Sequence, residues 1–385
     1  EVWAEEHGFG RYFGSSIKGQ AEIDWDDEEA RRQFLQGIVQ DADRLLAVAR
    51  EAVQGLPKGS EQAERIREAA ELLVQLLWQD IERQEDGGPD LKRGVAKDRI
   101  VSVHDPDMRH GRKSSSKRFD GHKLAIVVET ESQLITAVEV LPGNAPDREK
   151  ALELVEESEQ NTGMEVEEAR GDCAYGDGMT RQQFEEAGRK LVAKVAPRRN
   201  GKQFSKDDFE IDLEAMTCRC RAGQVTAKLV SSGQHRGQDG QYRPGRAFQF
   251  PGGVCDACEL RPQCTRAGPG KGRTVALHPQ ERLFQEARAL QNSPRFREYN
   301  QKRQVAEHRL ARLVQLGVRQ ARYFGRRKTL FQVRIAATVA NLTLVATKAA
   351  QRREDSTQPR PVALFYSCAK LALNLIRLHL CSLVT

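Results

Sequence analysis

The feature that most constrains the fold of this chain is a run of alternating short elements between residues 99 and 195. RIVSVHD (99–105), HKLAIVVET (122–130) and LITAVEVL (134–141) are rich in β-branched and apolar residues and are bounded by turn formers. That pattern predicts three strands in close succession. A basic loop, RHGRKSSSKR, separates the first two and carries Arg112 and Lys113, while Glu131-Ser132 turns the second strand into the third. Pro142-Gly143-Asn144 closes the third strand, and Pro146-Asp147 predicts the opening of a helix that carries Ala151, Leu154 and Val155. A strand ending at Asp172, a helix over 180–190 and a strand LVAKV over 191–195 follow. Three strands, then helix, strand, helix and strand, predict a mixed sheet of the α/β class.

Helical grammar flanks this core on both sides. Phe34, Ile38, Ala42, Leu45, Ala49 and Val53 recur every three to four positions and predict a helix over 26–54, ended by Gly55, Pro57 and Gly59. Ser60 is placed to cap a second helix, running to about Gln84 and burying Ile66, Leu73, Leu76, Leu77 and Ile81. Together they predict an antiparallel helical hairpin, with the polar segment 85–97 as a linker. Its charge is lopsided: residues 21–90 hold 18 acidic and 8 basic side chains, whereas residues 295–334 hold 12 basic and 2 acidic. Such asymmetry suits a polyanion partner met by one face, although a basic helix can also be merely solvated. Hydrophobic residues at 39% and charged residues at 30% describe a globular chain rather than a disordered one. No run of 18 apolar residues is present, and EVWAEEHGFG lacks the apolar core of a signal peptide. It also lacks an initiator Met, so the reading frame is expected to extend upstream.

Candidate chemistry centres on GDCAYGDG. Asp172 ends a strand pattern, where ligands bind in open α/β folds, and the glycines at 171, 176 and 178 would let an anionic backbone or a hydrated metal come close. A solvated turn aspartate fits the stretch equally well. Further on, Glu307 stands among basic residues, on a helix face shared with Arg303, Leu310, Ala311 and Val314; an ion pair with Arg303 is the plainer account. Asp172, Glu307 and an acid from an early strand, Asp105 if the strand order is taken literally, would make a carboxylate cluster. Such hard oxygen ligands bind Mg²⁺ or Mn²⁺, which can drive in-line phosphodiester displacement. Arg303, Arg322, Arg326, Arg327 and Lys328, beside Tyr323-Phe324, together with Arg112 and Lys113, would supply phosphate contacts, or else a solvated helix start. The commonest NTPase, esterase and metalloprotease motifs are absent.

The segment 197–275 is too long for an unorganised loop. Eight cysteines without a secretory signal suit a reducing compartment, where metal binding is favoured over disulfides. Cys220, Cys255, Cys258 and Cys264, with Cys218 as the spare, could hold a structural Zn²⁺; reduced, half-buried thiols are the alternative. Cys173, Cys368 and Cys381 are isolated and read as packing residues.

The strand order is also the layout of a ribonuclease H-like core, although order alone does not establish function. The blocks HDPDMRHGRKSSSKRFDGHK, VEVLPGNAPD, GDCAYGD, KDDFEIDLEAMTCRCRAGQ, VCDACELRPQCTR and RYFGRRKTLFQ resemble the catalytic region of bacterial insertion-sequence transposases of the DDE type. The resemblance runs from about Ile23 to Ala349. It implies a ribonuclease H-like fold and metal-dependent cutting and joining of double-stranded DNA at element ends. It further implies cytoplasmic, nucleoid-associated action and a homo-oligomer when active. Asp172 falls where the family's second catalytic Asp does, and Glu307 matches its final Glu. The family's first Asp belongs to an Asp-Ser-Thr-like block that should precede IDWDDEEARRQF, and nothing in the first 22 residues matches it. This makes Asp105 and its DPDMRHG block structural and DNA-facing, and places the third ligand upstream. A DNA-binding remnant without activity and a non-transposing nuclease remain the competing expectations. The expected division is 1–97 helical hairpin and linker, 98–196 ribonuclease H-like core, 197–275 Cys-containing insertion, 276–350 basic helical segment and 351–385 divergent tail, apolar over 369–384.

Overall fold

Apolar spacing and capping chemistry agree at the first long helices. The structure, a computed structural model, describes residues 2–355 apart from 15, 85–87, 95, 97, 115, 199, 238 and 239. Of the tail, residues 356–385, with Cys368 and Cys381, lie outside the described residues, and 351–355 continue the last helix. Two compact units are present, 1–121 and 122–385.

In the first unit, short helices α1 (Val2–Glu6) and α2 (Ile17–Gln20) precede α3 (Glu28–Gln54) and α4 (Glu61–Asp80). Asp27 caps α3 by accepting from Glu29 N at 3.0 Å, and Ser60 caps α4 by accepting from Ala63 N at 3.2 Å. Val39, Ala42, Leu46 and Ala63 are the buried apolar residues of the pair. Buried among them, Asp41 is held by Arg11, Arg44 and Tyr12. α4 stops short of Gln84 because β1 (Ile81–Arg83) pairs antiparallel with β2 (Pro89–Leu91). The predicted strand over 99–105 is not one. The Gln79 side chain takes both backbone groups of Ile100, accepting from its N at 2.9 Å and donating to its O at 3.1 Å, so the segment makes no ladder there. Asp105 therefore sits in irregular, buried chain rather than at a strand end. β3 (Arg109–Arg112) pairs with the first four residues of β4 (Arg118–Val128).

The remainder of β4 lies in the second unit and pairs antiparallel with β5 (Ile135–Pro142) through the expected turn, where Gln133 adopts a φ of 64°. The β-branched residues of β5 are buried on both faces, so helices cover both sides. One side holds Ala125, Ala137, Leu141 and Leu154 of α5 (Ala151–Thr162). The other holds Ile135, Val138 and Val140 against Leu313 of α10 (Arg295–Leu313) and Val333, Ala336, Ala337 and Ala340 of α11 (Arg326–Asp355). Asn341 pins α11 to this strand, accepting from Ile135 N at 2.9 Å and donating to Ile135 O at 2.8 Å. Residues 326–351 are long and apolar enough to cross a membrane by length and composition alone, but this helix packs one face on β5.

β6 (Glu168–Arg170), α6 (Gly178–Glu186) and β7 (Lys190–Val192) form a parallel β-α-β unit. Residues 197–277 have their own organisation. β8 (Glu210–Asp212), β9 (Thr217–Arg219) and β10 (Val225–Thr226) make one antiparallel sheet; β11 (Leu229–Arg236), β12 (Tyr242–Gln249) and β13 (Thr274–Leu277) make another. Phe209, Cys218, Phe248, Phe250 and Val275 form their shared core, beside the short helices α7 (Gly252–Asp256) and α8 (Arg261–Cys264). α9 (Glu281–Gln291) leads into α10, and Gly317, with a φ of 87°, ends that helical run where only glycine is unstrained. The architecture is mixed α/β with several small sheets.

Candidate functional site

Asp172 follows the carboxyl end of β6 by two residues. It is exposed and caps a single 3-10 turn over Cys173–Tyr175, its Oδ1 accepting from Ala174 N at 2.8 Å. The half-buried Tyr175 hydroxyl is pushed up to about 12, first by burial and then by the charges of Asp147 and Asp172. Asp147 is thus a second carboxylate of this neighbourhood that sequence reasoning passed over; it also pairs with Lys123 at 2.8 Å. Its only signal in the sequence was the Pro-Asp at the end of VEVLPGNAPD.

Each glycine of this loop is packed closely against another part of the fold. A Cβ on Gly171 would lie 2.9 Å from the Tyr175 ring, one on Gly176 would lie 2.1 Å from the Lys194 carbonyl oxygen, and one on Gly178 would lie 2.7 Å from His278 Cε1. Their missing side chains are what let the loop close against β7 and His278. Asp177 caps α6, accepting from Met179 N at 3.1 Å and Thr180 N at 3.3 Å, and pairs with Arg148 at 3.1 Å. Arg181 buries its guanidinium beneath the same loop, donating to Gly176 O at 3.0 Å and Ala193 O at 2.6 Å, and burial lowers its pKa.

Glu307 lies on the outer side of α10, and Arg303 donates to it at 2.5 Å. The expected apolar stripe through Leu310, Ala311 and Val314 is not the inward face. Arg309 and Leu313 are buried instead, and Arg309 donates to Asn341 at 3.3 Å while burial lowers its pKa. The helix is rotated because Leu313 is drawn into the β5 core. Among the described residues no group of three or more His, Cys, Asp or Glu is placed to hold a metal ion, so Asp172 and Glu307 are not gathered with a third acid.

Of the expected phosphate contacts, Arg322, Arg327 and Lys328 are exposed near the exposed rings of Tyr323 and Phe324, while Arg303 is engaged by Glu307. Arg326 begins α11 half-buried. Arg112 and Lys113 are exposed and belong to the first unit.

The cysteines divide. Cys220, Cys255, Cys258 and Cys264 line one cavity of about 30 Å³, with Arg261 and Arg273 beside them. Cys255 Sγ accepts from Arg273 N at 3.4 Å. Cys218 does not line that cavity; it is fully buried in the adjoining core with Phe248, against which Cys220, Cys255 and Cys264 also pack. Burial, followed by the neighbouring Cys220, pushes its thiol up to about 11. All six described cysteines are free thiols.

This is an α/β protein whose carboxylates lie on a β-α-β edge and an adjoining basic helix. Residues 219–346, about a third of the chain, match the family model of the transposase DDE domain. The matched range contains Glu307 and the four cysteines of the cavity, whereas Asp172 lies upstream of it. No curated protein and no solved structure gives a match.

Proposed function

We propose that the chain cuts and joins double-stranded DNA at the ends of an insertion sequence, on a ribonuclease H-like core. The observation that carries this reading is the match of residues 219–346 to the transposase DDE domain. The order antiparallel strands, helix, then parallel β-α-β supports the core assignment. Asp172 and Glu307 are the proposed acidic ligands of a divalent ion, which would activate a hydroxyl and stabilise the leaving oxygen. As placed, they do not form a ligand set with a third acid among the described residues. Asp172 has the accessibility the role needs, and Glu307 would have to leave Arg303 to share it. The test is nicking of element-end DNA with Mg²⁺ or Mn²⁺. Asp172→Ala and Glu307→Ala should each abolish it, and cleavage retained in either variant overturns the role given to that residue.

A second reading, a DNA-binding remnant without catalysis, is favoured by the Arg303–Glu307 ion pair. It predicts salt-sensitive DNA binding with no cleavage under any divalent metal.

Zinc is proposed for Cys220, Cys255, Cys258 and Cys264. Their common cavity and the N–H donated to Cys255 support it, as a thiolate ligand is commonly stabilised by such a donor. Among the described residues they do not yet stand as a ligand group, so their thiols would have to draw closer together. One zinc per chain is expected, lost in Cys220→Ser and kept in Cys218→Ser; zinc-free native protein overturns the proposal.

A further inference from the structure

Two cations that the sequence does not single out, Lys194 and Arg297, line one groove, and the backbone of the first supports the Asp172 loop. β6 and β7 are parallel, with Arg170 opposite Val192, so their carboxyl ends share one edge. Asp172 follows β6 by two residues and Lys194 follows β7 by two. Gly171 N donates to Val192 O at 3.0 Å, and Gly176 lies so close to the Lys194 carbonyl that a Cβ there would be 2.1 Å away. The Asp172 loop therefore rests on the Lys194 backbone.

The start of α10 forms the facing wall. The Lys194 ammonium lies 6.0 Å from the Phe296 ring centre, and Tyr299 lies under Arg170 and Lys190 at 5.2 and 5.1 Å. Between them runs an open groove of about 720 Å³, lined by Lys194, Arg297, Asn292, Ser293 and Asn300 among others, with no carboxylate in its lining. The cations nearby differ in their pairing. Arg170 and Lys190 are bonded to Glu168 at 2.6 and 3.0 Å, whereas Lys194 and Arg297 make no ion pair among the described residues. Both are exposed, so neither must break an ion pair to meet an anion.

We propose that this groove carries the sugar-phosphate backbone of double-stranded DNA past Asp172, with Lys194 and Arg297 as two phosphate contacts. The proposal rests on the transposase reading. Amide donors from Asn292 and Asn300 suit phosphate oxygens, and the open shape suits a strand running through rather than an enclosed small ligand.

Each phosphate neutralised contributes about −0.9 to the slope of log affinity against log salt. The double variant Lys194→Ala/Arg297→Ala should therefore flatten the slope for a mixed-sequence duplex by about 2, and weaken binding equally for unrelated sequences. Arg50→Ala/Lys58→Ala, at exposed positions of the acidic helix pair, should leave the slope unchanged. A wild-type protein with no salt-dependent affinity would overturn the transposase reading itself. A steep wild-type slope that the double variant preserves, or a loss confined to one sequence, would overturn the groove alone.

Discussion

His278 should make the second unit lose stability as the pH falls below 6.5. Its Nδ1 accepts a hydrogen bond from Gln280 N at 3.1 Å, so that nitrogen must be unprotonated. Phe284 packs edge-on at 4.8 Å, and the ring fills the space left by Gly178. Burial, then the nearby charge of Arg198, lowers its pKa from 6.5 to about 4; Lys206 and His235 act in the same direction and Glu281 opposes them. Between those two values the unfolded chain binds the proton and the folded chain does not, so stability falls as pH drops through the window and is level outside it. At pH 4.5 the integrated loss from this group is about 2.5 kcal/mol relative to pH 7.5. The assay is denaturant unfolding followed by circular dichroism at both pH values, for wild type and His278→Gln. Comparing each protein with itself removes any direct cost of the substitution. Wild type should lose about 2.5 kcal/mol more than the variant. Equal losses, or an imidazole that titrates near 6.5 by NMR, would refute the reasoning.

Gly176→Ala should destabilise the Asp172 loop by about 1–3 kcal/mol, because the added Cβ meets the Lys194 carbonyl; an unchanged thermal midpoint would count against that packing. Lys206→Ala should cost about 3–5 kcal/mol by leaving the buried Glu281 carboxylate alone, while Lys206→Met/Glu281→Leu should recover most of it in the same melt. Asp177→Ala removes the cap of α6 and the Arg148 pair, and about 1–2 kcal/mol of stability should go with them, read by thermal unfolding.

How far the sequence could be read depended on the range of the interaction involved. The capped helices α3 and α4 and the β4–β5 hairpin were legible because spacing, caps and turn residues act over four residues or fewer. Segment 99–105 had the same strand-like composition, but Gln79, 21 residues earlier, took the backbone groups of Ile100. The outward turn of Glu307 was equally hidden, since the burial of Leu313 against β5 sets the rotation of α10.

Sequence alone determined the capped helix pair, the β4–β5 hairpin and the strand-helix-strand order around Asp172, along with the uneven charge and the resemblance to DDE transposases. Each is a property of neighbouring residues or of motif blocks. Only the tertiary structure decided what those residues meet. It showed that the glycines around Asp172 admit Tyr175, a carbonyl and His278, and it gathered four cysteines around one cavity while leaving Cys218 out of its lining, buried in the adjoining core. It also set Lys194 and Arg297 along one groove at the Asp172 edge. Such partnerships join residues that are far apart in the chain, and packing of the core selects them rather than any local preference of the backbone.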